Sequence, residues 1–136
     1  MNFGDSNIWF YGYTRTGDSQ KRETALSIVE QSDVCLSSQV VNELALNLKR
    51  KAGATEDYLR RLVERLYDDY IILEILREDI ITASELRTEY KLSYWDSLIV
   101  ASALRANAES LYSEDMQDGL IIRGKTTIRN PFLIRA

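Results

Sequence analysis

The apolar residues of this chain fall into short strand-like runs separated by stretches of helical periodicity, and that alternation restricts the fold more than any other feature. A first strand ends near Asp5. Val34-Cys35-Leu36, Tyr70-Ile71-Ile72-Leu73-Glu74-Ile75 and Ser110-Leu111-Tyr112 read as further strands, and Leu120-Ile121-Ile122 begins a fifth strand or an extended tail. Between them, Thr16 to Gln31 reads as a helix with Ala25, Ile28 and Val29 inward. Ser37 or Ser38 caps a helix to about Lys51, which Gly53 breaks. Thr55 opens another, with Leu59, Leu62, Val63 and Leu66 at helical spacing. Residues 78–90 are expected to be helical, and Ser93 starts a helix to about Asn107. Strands separated by helices predict βαβ units, right-handed connections and a parallel sheet covered on both faces. The expectation is an α/β fold, α/β/α in three layers, with a central parallel sheet of four to five strands. With 136 residues and no linker or repeat, it forms a single domain over 1–136.

The composition narrows the chemistry by what it lacks. There is no histidine, which removes Ser-His-Asp and Cys-His nucleophile pairs, His-based zinc sites and a two-histidine route for cutting RNA. Cys35 is the one cysteine, so no internal disulfide forms, as suits a reducing compartment. No stretch reaches the roughly 18 apolar residues of a membrane span, and the first residues lack the pattern of a signal peptide. A soluble, cytoplasmic protein with no membrane partner is expected. Lys and Arg number 17 and Asp and Glu 21, a net charge of −4. This argues against a bulk electrostatic grip on nucleic acid but leaves room for a local basic patch.

If such a chain is an enzyme, its chemistry runs on carboxylates, hydroxyls, amines or a bound cation, and the carboxylates are the groups to place first. In an open parallel sheet, ligands bind outside the carboxyl ends of the strands. Asp5 follows the first strand, Asp115 follows the fourth, Asp96 lies in the first turn of a helix, and Glu43 lies about one and a half turns into the helix after the second strand. Each has a plainer role available. Asp5 can cap a turn, Asp96 can be the third residue of a capping box with Ser93, and Asp115 can follow a Ser113 cap. Glu43 is too deep in its helix to cap, and alone reads as a solvated acid. Four acids converging on one rim would repel, and a hard divalent cation, Mg²⁺ or Mn²⁺, is the natural neutraliser.

These residues resemble the PIN domain, a family of Mg²⁺-dependent nucleases. Asp5-Ser6-Asn7 fits its opening Asp-Thr/Ser-Asn, and Ser37-Ser38-Gln39-Val40-Val41-Asn42-Glu43 fits its glutamate-bearing second helix. Asp96-Ser97-Leu98-Ile99-Val100-Ala101-Ser102-Ala103 fits its third acid before an alanine-rich helix, Ser113-Glu114-Asp115 fits its Ser/Thr-x-Asp, and Met116-Gln117-Asp118-Gly119 also looks like the family. The resemblance covers nearly the whole chain. It implies that Asp5, Glu43, Asp96 and Asp115 hold one or two Mg²⁺ or Mn²⁺ ions, with Asn7 and Ser113 fixing carboxylate geometry and Asp118 a second-tier candidate. It further implies an endoribonuclease acting on RNA, the toxin of a type II toxin–antitoxin pair, with a cognate antitoxin and a homodimer.

Two other readings stand beside this one. A catalytically weak PIN-like module could bind nucleic acid or protein without turnover. A receiver-like or haloacid-type phosphohydrolase fits less well, because Asp5 stands alone, Ile75-Leu76-Arg77 follows the third strand, and position 7 is Asn where Asp-x-Asp is needed. The aromatic run Trp9, Phe10, Tyr11 and Tyr13 reads as core or a protein-contact surface more readily than as a base-stacking site. Arg123, Lys125 and Arg129 are candidates for a cationic rim.

Overall fold

In the computed structural model of the chain, residues 1–15 and 17–133 are described. The elements run β1 (Asn2–Gly4), α1 (Ser6–Tyr13), α2 (Ser19–Val29), β2 (Val34–Ser37), α3 (Ser38–Ala52), α4 (Glu56–Asp69), β3 (Ile71–Leu73), α5 (Arg77–Glu89), α6 (Tyr94–Arg105), β4 (Ser110–Tyr112), β5 (Ile121–Ile122) and β6 (Thr126–Arg129). They build a six-stranded sheet of order β3-β2-β1-β4-β6-β5, flanked by helices. All neighbouring pairs are parallel except β5 with β6. The three-layer α/β/α architecture is therefore as expected, with one more strand than the sequence suggested and an antiparallel edge. The first βαβ unit grows the sheet from β1 towards β2 and β3, whereas β4 lies on the other side of β1. The strand order thus reverses between β1 and β4, which makes a crevice at their carboxyl ends.

Local chemistry explains the boundaries. Ser37, Thr55 and Ser93 each accept a backbone N–H from three residues on and so start α3, α4 and α6. Gly53 ends α3 at φ 66°, a left-handed conformation natural to glycine. Asp18 caps α2, which therefore begins later than expected; Thr16 lies outside the described residues.

Two elements were not anticipated. The first is α1, formed by the aromatic run. Trp9 is fully buried, packs edge-on against Tyr70 and donates its indole N–H to the Gly4 carbonyl at 3.0 Å. Phe10, Tyr11 and Tyr13 pack half-buried around the core, so this cluster is mainly interior. The second is β6, joined to β5 by a tight turn with positive φ at both Arg123 and Gly124.

The buried acid outside the crevice is structural. Asp79 is 2% exposed, accepts from the backbone N of Leu76 and pairs with Arg105 at 2.8 and 3.0 Å, fastening the start of α5 to the end of α6.

The contact beneath Asp5 is tight. A Cβ added at Gly4 would lie 2.8 Å from the Trp9 indole nitrogen, and that ring has no open space to move into. Gly4→Ala is expected to lower stability by about 1–3 kcal/mol, read as a lower denaturant midpoint with unchanged m. An unaltered midpoint would mean the ring shifts freely.

Candidate functional site

The site is assembled by chain direction. A helix that follows a parallel strand starts at the sheet's carboxyl edge, and so does a helix that returns to the start of the next strand. The crevice therefore collects the residue after β1, the first turns of α3, the N-terminus of α6 and the segment after β4. These carry Asp5, Glu43, Asp96 and Asp115 respectively.

Asp5 is the most enclosed of them, 4% exposed. One carboxylate oxygen accepts from the backbone N of Ser6 at 2.7 Å, capping α1, and the other accepts from the Ser113 hydroxyl at 2.8 Å. Burial pushes its carboxyl from 3.8 up to about 6; the Ser113 and Ser6 hydrogen bonds oppose the rise, and the charges of Glu43 and Asp96 add to it. Asp96 is half-buried. Burial raises its carboxyl too, opposed by the Ser93 hydrogen bond and reinforced by the charge of Asp115. The Ser93 hydroxyl also accepts the Asp96 backbone N–H at 3.1 Å. Asp5 thus caps its helix while also facing other acids, whereas at α6 the Ser93 hydroxyl is the cap and the Asp96 carboxylate does not close a capping box.

The remaining polar groups orient this set. Asn7 donates its amide to Asp115 at 3.1 Å and accepts from the Glu114 backbone N. Ser113 accepts from the backbone N of Asp115 and Met116, in a bend rather than a helix. Gln39, not singled out from the sequence, donates to Glu43 at 3.0 Å and to the carbonyl of Trp95 at 3.1 Å, tying α3 to the start of α6. Asp118 lies in the turn before Gly119 and accepts from the Asn130 backbone N at 2.7 Å. Glu114 turns to Tyr11 and to Lys21, the latter at 2.9 Å.

As a donor set this is all oxygen and anionic, which suits a hard divalent cation rather than zinc or copper. The acids interact as Asp5 with Glu43 and Asp96, and Asp96 with Asp115. Among the described residues, however, no group of three or more acidic or thiol side chains is placed so as to hold a metal ion. Like charges repel in such a set, and a cation among them would add an attraction to each carboxylate that offsets the repulsion.

The PIN domain family model matches residues 3–117, and the chain belongs to that family, one of nucleases. No curated protein sequence matches it. Among solved structures, it is similar to a toxin–antitoxin complex from Klebsiella pneumoniae, at 22% identity and TM-score 0.72 over 98% of this chain and 100% of that one. It is also similar to Mycobacterium tuberculosis VapC20, a sarcin-ricin loop cleaving toxin, at 19% identity and TM-score 0.67 over 82% and 87%. A third is FitAcB from Neisseria gonorrhoeae, at 17% identity and TM-score 0.69 over 98% and 100%. At these identities the likeness is one of fold.

The raised carboxyl of Asp5 has a sign that stability measurements read. The fold favours its neutral form, so its contribution to stability is full below about pH 4 and is lost as pH rises towards 6, by roughly 3 kcal/mol. With EDTA present, the Tm of Asp5→Asn minus that of the unsubstituted protein should therefore climb between pH 4 and pH 7. A flat or falling difference would contradict a charge penalty at this position.

Proposed function

We propose that the chain is a Mg²⁺- or Mn²⁺-dependent endoribonuclease and the toxin of a type II toxin–antitoxin pair, held in check by a cognate antitoxin, homodimeric and cytoplasmic. What supports this reading is that chain direction brings the segments carrying Asp5, Glu43, Asp96 and Asp115 to the switch point of the sheet, in a chain without histidine. Membership of a nuclease family supports it, and the toxin–antitoxin neighbours, one of them a toxin that cleaves the sarcin-ricin loop, support the RNA substrate and the antitoxin. Among the described residues no helix is long and apolar enough to cross a membrane.

The residues divide the work. Asp5, Asp96 and Asp115 would hold the cation, with Glu43 either joining them or orienting the attacking water. Bound there, the cation would offset the charge of the phosphodiester and lower the pKa of that water. Ser113 holds the Asp5 carboxylate, Asn7 holds that of Asp115, and Gln39 holds that of Glu43, whose free oxygen can take a proton from the water. One observation favours the alternative of a binding module without turnover: the acids do not stand gathered for an ion.

The assay that separates the two is cleavage of RNA. EDTA should stop it, and Mg²⁺ or Mn²⁺ should restore it. Asp5→Asn and Asp96→Asn should each lower the rate by about a hundredfold or more, and Asn7→Ala by roughly 10- to 100-fold. Cleavage that survives both Asp substitutions would remove the assignment, and metal binding without cleavage would favour the binding module.

A further inference from the structure

Two large aromatic side chains stand in solvent at the rim of the acidic crevice. Tyr94 is 56% exposed and Trp95 is 63% exposed, at the first two positions of α6, immediately before Asp96. Their rings meet edge to face, 5.5 Å apart with 76° between planes, so the edge of one ring rests on the face of the other and the two are not stacked on each other. The Arg87 guanidinium lies over the Tyr94 ring at 4.3 Å and donates to the Ser97 hydroxyl at 2.7 Å, which fixes Tyr94 from α5. The Trp95 backbone is held through its carbonyl by Gln39, the same side chain that holds Glu43. Tyr94 is thus held by Arg87, and the Trp95 backbone is tied through one side chain to the Glu43 carboxylate. Leaving this much apolar surface in water is unfavourable unless something covers it.

We propose that Tyr94 and Trp95 are a stacking platform for a nucleobase of single-stranded RNA beside the phosphate to be cut, a specificity element that rests on the ribonuclease reading. The chemistry favours a base over a protein side chain as occupant. The crevice carries acids, so a strand brought to these carboxylates needs a grip that is not purely electrostatic. An aromatic face supplies it to any base. Two of the three cations expected at the rim serve elsewhere: Arg123 pairs with Glu85 and Glu89, and Arg129 donates to Ser110. Arg87, stacked on Tyr94, puts positive charge at the platform itself.

The two tryptophans make the test direct, since Trp9 is fully buried and Trp95 is not. Titrating an unstructured oligoribonucleotide into the full chain in EDTA should quench the emission of Trp95, with no such change in Trp95→Phe. With Mg²⁺ or Mn²⁺, Trp95→Ala should raise KM for that oligonucleotide about fivefold or more while kcat stays within about twofold. Trp95→Phe should recover most of the loss, and Tyr58→Ala, an exposed aromatic on α4, should leave KM unchanged. If the unsubstituted chain does not cleave RNA, the nuclease reading fails, and quenching still decides the platform. Absent quenching, or an unchanged KM in Trp95→Ala, overturns the proposal. So does a Trp95→Ala variant that loses self-association by light scattering with KM intact, which would assign the rings to a second copy of the chain.

Discussion

The hydrogen bond from the Ser113 hydroxyl to the Asp5 carboxylate joins residues 108 positions apart and closes the crevice between β1 and β4. Beside it, the backbone N of Asp5 donates to the Tyr112 carbonyl at 2.9 Å, extending the β1–β4 ladder. An enclosed carboxylate is tolerated only when its oxygens are satisfied, and both oxygens of Asp5 are. One points into the start of α1 and the other to the segment after β4. The direction of α1, the placing of Ser113 and the approach of Asp115 all follow from where this one side chain sits.

Features set by a local rule could be read before any coordinates. Helix starts at Ser37, Thr55 and Ser93, the stop at Gly53, and the strands at Val34 and Ser110 depend on nearby residues, and local patterning identifies them. The parallel topology followed from the alternation. The list of acids at the carboxyl edge followed in turn, because in a βαβ fold chain direction alone decides which end of each element faces the crevice.

What escaped depends on tertiary partners. Residues 6–13 are apolar on nearly every side, so α1 has no periodic face to betray it; Trp9 anchors it by packing on the distant Tyr70 and donating to the nearby Gly4 carbonyl. β6 has a weak alternation, with Thr126 and Ile128 inward, and its hairpin turn uses Arg123-Gly124 instead of the familiar Asn-Gly. Gln39 could not be singled out because its role requires α3 and α6 to be neighbours. The capping and site roles of Asp5 and Asp96 looked like competing explanations in the sequence. In the fold Asp5 caps α1 with one oxygen while the other meets Ser113, whereas the cap of α6 is the Ser93 hydroxyl and Asp96 lies in the first turn behind it.

The two ends of α6 show how the molecule divides stability from chemistry. At the far end, Arg105 meets Asp79 with two hydrogen bonds, and the acid's charge is answered where it is buried. At the near end, Asp96 faces other acids and its carboxyl is raised by burial and by Asp115. One helix thus supplies the cation that answers a buried carboxylate of its neighbour α5 and, at its other end, carries a carboxylate that faces other acids. A fold selected for stability alone would pair both or bury neither. Repulsion retained at the crevice, while the same helix is fastened by an ion pair between residues twenty-six apart in the chain, is what the proposed cation site would require.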